Sequence, residues 1–191
     1  MRIILASGSP RRRELMEMLK VQNLEIIPAK GEEKEHPELS PAELVMELSR
    51  CKAAEVAQNH GGADTVVIGA DTIVVLDGAV LGKPVDEADA ERMLHALSGR
   101  SHRVYTGVCV MSGGEMKQHA ERTEVFFRTL SDGEIRRYIA TGEPMDKAGA
   151  YGAQGFASLF VEKLEGDFFN VMGLPLCALG TMLKEIGVDL I

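Results

Sequence analysis

Residues 3–19 pass from an apolar run, Ile3-Ile4-Leu5, through the small loop Ser7-Gly8-Ser9-Pro10 into a helical stripe of Leu15, Met18 and Leu19. A strand that hands over to a helix this quickly is one step of an alternating β–α chain. The step repeats: strands are predicted over 24–28 and 65–76, with a helix from 41 to about 58 between them. The alternation then gives way to two long strands, about 101–112 and 116–128, flanking Ser112-Gly113-Gly114 as a hairpin. This order specifies a mixed, twisted sheet with flanking helices, an α/β fold. Local signals mark the boundaries. Ser40-Pro41-Ala42-Glu43 is a capping box with proline at the first helical position, and Ser131 with Glu134 forms another. Asp77-Gly78 is a turn, Asp86 caps a helix over 87–97 that ends at Gly99, and a helix over 132–141 ends at Gly142. A glycine-rich loop over 146–156 leads into a predicted strand at 157–163. Pro175 opens a last helix with Leu176, Leu179, Leu183 and Ile186 on one face. There is no repeat and no linker, so any second lobe is woven into the first.

The 191 residues suffice for one substantial domain or two intimate lobes, and 45% hydrophobic with 26% charged residues is ordinary for a globular chain. A net charge of −8 repels a nucleic-acid backbone over most of the surface, which argues against nucleic acid as a partner. No apolar run approaches the roughly 18–20 residues that span a membrane, and the N-terminus enters a strand pattern directly, without a signal-peptide core. Cys51, Cys109 and Cys177 are odd in number, far apart and set in apolar-periodic segments. They are expected to be reduced core residues of a cytoplasmic protein. His36, His60, His95, His102 and His119 form no zinc-ligand spacing.

Against this acidic background, Arg11-Arg12-Arg13 stands out. With Ser9 as N-cap and Pro10 at the first helical position, the three arginines fill the first turn of a helix. That turn already carries partial positive charge, so a cation there is unfavourable by a few tenths to about 1 kcal/mol. Two readings are open: an anion occupies this loop and helix start, or the arginines are solvated surface charges, one paired with Glu14.

Asp71 interrupts Val66-Val67-Ile68-Gly69-Ala70-Asp71-Thr72-Ile73-Val74-Val75. A carboxylate inside such a run is costly unless it is paired, hydrogen-bonded or bound to a metal; the alternative is a solvated strand end. Gly69 allows a bulge or a close backbone approach. Lys52 follows Leu48 by four and Val45 by seven, on the inward side of its helix, although Glu55 lies near the same stripe. Lys83 is fixed between Gly82 and Pro84, and Glu32 and Glu33 offer loop oxygens of the kind Mg²⁺ takes. In Asp146-Lys147-Ala148-Gly149-Ala150-Tyr151-Gly152-Ala153-Gln154-Gly155, small residues permit close approach to a ligand, Tyr151 could stack on a base, and Gln154 offers a donor and an acceptor to a base edge. There is no P-loop and no GxGxxG; Ser7 and Ser9 read as phosphate contacts rather than nucleophiles. Cations from three segments, one semi-buried carboxylate and a small-residue loop together suit a nucleotide polyphosphate with Mg²⁺.

LASGSPRRREL (5–15), GADTIV (69–74), LGKP (81–84), LSGRSH (97–102), DKAGAYGAQG (146–155) and GDFFNVMGLP (166–175) extend along nearly the whole chain. In these pieces the chain resembles the Maf family of nucleoside triphosphate pyrophosphatases. The resemblance implies a single Maf-like domain over 1–191, with the α/β architecture of inosine-triphosphate pyrophosphatases and a cleft between two intimate lobes. It implies hydrolysis of a nucleoside triphosphate to the monophosphate and diphosphate with Mg²⁺ or Mn²⁺. Asp71 matches the family's proton acceptor, and Arg11, Thr72 and Gln154 match the positions tied to dTTP and UTP. Around these residues we expect Ser7, Ser9, Arg12, Lys52 and Lys83 to bind substrate, Glu33 and Asp71 to hold the metal, and Arg13 to be a solvated neighbour. Two alternatives go with the same scaffold: a pyrophosphatase directed at inosine or methylated guanosine triphosphates, or a nucleotide-binding regulator of septum formation. A homodimer is implied by resemblance alone.

Overall fold

The computed structural model describes residues 1–31 and 36–190. In chain order its elements are β1 (Arg2–Leu5), α1 (Pro10–Met18), β2 (Leu24–Ile26), α2 (Pro41–His60), β3 (Thr65–Leu76), β4 (Ala79–Leu81), α3 (Glu87–Leu97), β5 (Ser101–Ser112), β6 (Glu115–Phe127), α4 (Asp132–Ile139), β7 (Val161–Glu165), α5 (Phe168–Met172) and α6 (Leu176–Glu185). The strand order is β2-β1-β3-β5-β6-β7, with β4 added to β3. The β1 pairings to β2 and β3 are parallel, whereas β4 and β7 pair antiparallel. The sheet is therefore mixed, and the expected α/β architecture is found.

The chain divides into two compact units, Met1–Asp71 with Thr106–Glu121 and Gly173–Ile191, and Thr72–Tyr105 with Arg122–Met172. Strands β3, β5 and β6 each run from one unit into the other.

In the first unit, α2 is capped as its sequence requires, with the reciprocal Ser40–Glu43 box and Pro41 in the first turn. Its buried residues are Val45, Leu48, Ser49, Ala53 and Val56. Two glycines decide how closely it lies on the sheet. A Cβ at Gly69 of β3 would stand 2.2 Å from the Ser49 carbonyl oxygen and 2.8 Å from the Ala53 nitrogen. One at Gly107 of β5 would stand 2.0 Å from the Val45 carbonyl oxygen. No side chain fits in either gap, so helix backbone meets sheet backbone directly. Gly69 serves this close approach.

The second unit is built on a buried cluster that includes Val74, Leu94, Leu97, Val125, Phe127, Ile135, Tyr138, Tyr151 and Phe160. His102 lies within it at 2% exposure. The His102 and Phe127 rings meet edge to face at 5.0 Å, and Phe127 and Tyr151 at 4.8 Å. His102 Nε2 and the Tyr151 hydroxyl share a hydrogen bond of 2.7 Å. Burial pushes the imidazole down to about 4, against a weaker upward pull from Glu124.

Several sequence expectations shift. The segment from 157 is first a short 3₁₀ turn, Phe156–Leu159, and becomes strand only at Val161. The Ser158 N–H closes on the Gly155 carbonyl and the Phe160 N–H on that of Ala157, each at 3.0 Å, so the glycine loop ends in a turn before the strand begins. In α1 the buried apolar pair is Leu15 and Met16, so the inward stripe runs through 12, 15 and 16, and Met18 is exposed. Of the three cysteines only Cys109 is buried. Cys51 and Cys177 are exposed, Cys51 because the inward stripe of α2 runs through 45, 48, 49, 53 and 56. The short α5 has no counterpart in the sequence reading.

Two outcomes follow. Gly69→Ala forces α2 off the sheet and is expected to lower stability by about 2 kcal/mol or more, read by urea unfolding. His102 is neutral in the native protein but takes up a proton near pH 6.5 once unfolded. It therefore destabilises the fold progressively as pH falls from about 6.5 to about 4, by up to about 1.4 kcal/mol per pH unit. His102→Gln should flatten the pH dependence of stability in that window; an unchanged slope contradicts the assignment.

Candidate active site

In the first unit, the side chain period of a strand puts Gly69 and Asp71 on the same face of β3, the face that α2 covers. Lys52 lies three residues beyond Ser49 and one before Ala53, the residues that touch Gly69. The glycine contact therefore sets its reach, and its Nζ donates to Asp71 Oδ1. Asp71 is 8% exposed, and Lys52 is half-buried. The carboxylate in the apolar run is thus paired, one of the states its position required, and is not a solvated strand end.

The Ser7-Gly8-Ser9-Pro10 loop leads into α1 as expected, but its capping differs. Ser9 is the N-cap residue without a side-chain cap, and its N–H is taken by Ser7 Oγ at 3.3 Å. The three arginines separate. Arg12 is buried, its Nε donating to the Gly173 carbonyl oxygen at 2.7 Å and a terminal nitrogen to Ser7 Oγ at 3.0 Å. Arg13 is exposed and pairs with Glu17 at 2.7 Å, the surface reading of the run with a different partner from Glu14. Arg11 is half-buried in the same first turn. Glu55, which blurred the inward stripe of α2, accepts the backbone N–H groups of Lys30 and Gly31 at 2.7 and 2.9 Å. Those two bonds hold its carboxyl below the usual range. Glu33, expected as a metal ligand, lies with Glu32 outside the described residues.

In the second unit, Thr72 continues β3 and points to the face opposite Asp71. Lys83 is exposed beside buried Pro84, and the Gly82 carbonyl accepts the Gly149 N–H at 3.0 Å, joining the LGKP segment to the glycine loop. Gln154 is exposed in that loop. Tyr151 is 5% exposed and spends its hydroxyl on His102. It is a core anchor and cannot stack on a base, a role the small residues around it had suggested. Asn170 of the GDFFNVMGLP motif is buried too, its amide donating to the Val104 carbonyl at 3.1 Å and to Thr123 Oγ1 at 2.9 Å. Two residues absent from the sequence reading, Tyr138 and Glu143, bind the backbone of the glycine loop. Only the Glu-Pro start of a 3₁₀ turn before that loop could have flagged Glu143.

A family model described as Maf-like protein matches residues 2–186. The dTTP/UTP pyrophosphatases of Bacillus mycoides (strain KBAB4) and Bacillus cereus (strain ZK / E33L) are each 48% identical to this chain over 188 residues, covering 98% of it and 97% of their own length. Among solved structures, the Ham1 protein of Staphylococcus aureus shares the fold, with a TM-score of 0.57 at 14% identity over 97% of this chain and 100% of that one. From its first strand to its last helix, the chain belongs to the Maf family.

Proposed function

We propose that this chain is a nucleoside triphosphate pyrophosphatase that hydrolyses dTTP and UTP to the monophosphate and diphosphate, with residues 1–191 acting as one Maf-like domain. The observation that carries the reading is the match, at 48% identity and over nearly the full length of both chains, to proteins named for that activity. A cytoplasmic place beside the nucleotide pool goes with this substrate; no helix among the described residues is long and apolar enough to cross a membrane.

In this reading water attacks the α-phosphorus in line, the bond from that phosphorus to the bridging oxygen breaks, and the diphosphate leaves. Asp71 accepts the proton of the attacking water. Lys52, bonded to one oxygen of that carboxylate, fixes the direction of the other. Arg11 and Lys83 neutralise phosphate charge, and Ser7 and Ser9 supply neutral donors. Arg12, held by Gly173 and Ser7, adds buried positive charge beneath the loop and orients the Ser7 hydroxyl. Thr72 and Gln154 meet the pyrimidine edge.

The donor set bears on the metal. Among the described residues no three His, Cys, Asp or Glu side chains converge as a protein cage. One buried carboxylate, Asp71, is a hard oxygen donor of the kind Mg²⁺ or Mn²⁺ takes together with substrate phosphates and water. Asp71 suits such an ion, and Glu33, the second ligand that the resemblance implies, lies outside the described residues. When bound, the ion offsets phosphate charge and makes a nearby water more acidic.

Diphosphate release measured with Mg²⁺ and dTTP, UTP or ITP tests the reading. The expected kcat/KM is at least about tenfold higher for dTTP and UTP than for ITP; preference for ITP would reassign the enzyme to purines. Asp71→Asn is expected to lower kcat by about 100-fold or more while dTTP affinity stays within about threefold. Near-native turnover in that variant removes Asp71 from the chemistry.

A further inference from the structure

We infer that Glu143, acting with Tyr138, is a positioning residue that sets the loop carrying Gln154, and so contributes to the choice of base without touching it. The inference rests on the reading of Gln154 given above and extends it to residues outside the motif.

Gln154 is the third residue of a tight turn, in which the Gly155 N–H donates to the Gly152 carbonyl at 3.0 Å. Both shoulders of this turn are tied to one pair of side chains. On the leading side, the Gly152 N–H donates to the Tyr138 hydroxyl at 3.3 Å. On the trailing side, the Phe156 N–H donates to Glu143 Oε2 at 3.0 Å. The pair is closed by the Tyr138 hydroxyl, which donates to Glu143 Oε1 at 2.9 Å. The carboxylate thus links two backbone donors four residues apart, one directly and one through the tyrosine.

The two glycines of the turn lie against Glu143 and its neighbour Lys147. A Cβ at Gly155 would lie 2.3–2.4 Å from the carboxyl atoms of Glu143, inside any tolerable contact. A Cβ at Gly152 would lie 2.6 Å from Lys147 Cε, and Lys147 in turn bonds the Glu143 carbonyl at 2.5 Å and Asp146 at 2.7 Å. Glu143 fills the space that a side chain at Gly155 would need, and Lys147 the space at Gly152. The two glycines make room for protein rather than for ligand at these positions.

The anchor itself is rigid. Tyr138 is 3% exposed, on α4 after a complete Ser131–Glu134 capping box, and packs edge to face on Phe160 at 5.0 Å. Burial and its bond to Glu143 push its ionisation upward, so the hydroxyl keeps its proton and remains a donor. Glu143 opens the 3₁₀ turn Glu143–Asp146, with Pro144 buried behind it. A turn fixed at both shoulders to such a base presents Gln154 in one direction, which a side chain must do if it is to discriminate by hydrogen bonding.

Two measurements on the whole chain test this. In the first, dTTP and ITP turnover is compared for the wild type, Glu143→Ala, Glu143→Gln, Gln154→Ala and the Glu143→Ala/Gln154→Ala double variant. Glu143→Ala is expected to raise KM for dTTP about tenfold, to change kcat less than about threefold, and to reduce the dTTP-over-ITP preference by about tenfold. Glu143→Gln, which keeps one acceptor oxygen, should restore part of the loss. In the Gln154→Ala background, Glu143→Ala should add little. Unchanged KM and preference, an equal loss on both substrates, or full additivity overturns the inference. In the second, amide hydrogen exchange of Gly152 and Phe156 should accelerate about tenfold in Glu143→Ala while β5 keeps its protection. Unchanged exchange overturns the positioning role. A wild type that fails to hydrolyse dTTP, with the exchange effect present, instead overturns the functional reading and leaves the anchored turn supported.

Discussion

The direct contact of α2 with the sheet, backbone on backbone at Gly69 and Gly107, is the constraint on which the rest of the candidate centre depends. It requires glycine at two positions on neighbouring strands, since any side chain there would collide with helix carbonyls. It brings Lys52 onto Asp71, and that pairing is what lets a carboxylate occupy the middle of a long apolar strand. A buried ion pair is a weak source of net stability, because desolvation offsets most of its attraction. In the proposed reaction, that cost goes with fixing the carboxylate that accepts the proton.

Each segment of the candidate site is held by residues one step removed from it. Ser7 is held by Arg12, Arg12 by the Gly173 carbonyl, and the 30–31 backbone by Glu55. The glycine loop is held at Tyr151 by His102, at Gly149 by Gly82, and at Gly152 and Phe156 by Tyr138 and Glu143. Of the arginine run that broke the usual preference of a helix start, one member is buried and bonded to Gly173 and Ser7, and one is a surface partner of Glu17.

The fold was legible in the sequence where local signals are strong. The apolar run 65–76, the helix 87–97 between Asp86 and Gly99, the capping boxes at Ser40 and Ser131, and the hairpin at 112–114 are all found. The failures are tertiary. Met18 and Cys51 sit at plausible helical spacing, but the face that is buried depends on the neighbouring sheet. Asp71 and Lys52 could each be singled out, yet their contact could not, because it arises from glycines on two strands meeting one helix. The late loop looked like a ligand cradle because glycine and alanine leave space. What fills that space at Gly152 and Gly155 is Lys147 and Glu143, information carried only by the packed structure. Tyr151 misled for the same reason, since an aromatic among small residues serves equally well as a platform or an anchor.

In the proposed reaction Lys52 acts through Asp71, to which its Nζ is bonded. A double-mutant cycle on dTTP turnover tests that claim most directly, with Lys52→Met, Asp71→Asn and the double variant compared by kcat for diphosphate release. Lys52→Met alone should lower kcat substantially, and the same change in the Asp71→Asn background should lower it less than about twofold further. Losses that multiply in the double variant would show that the two side chains act independently and would contradict the account.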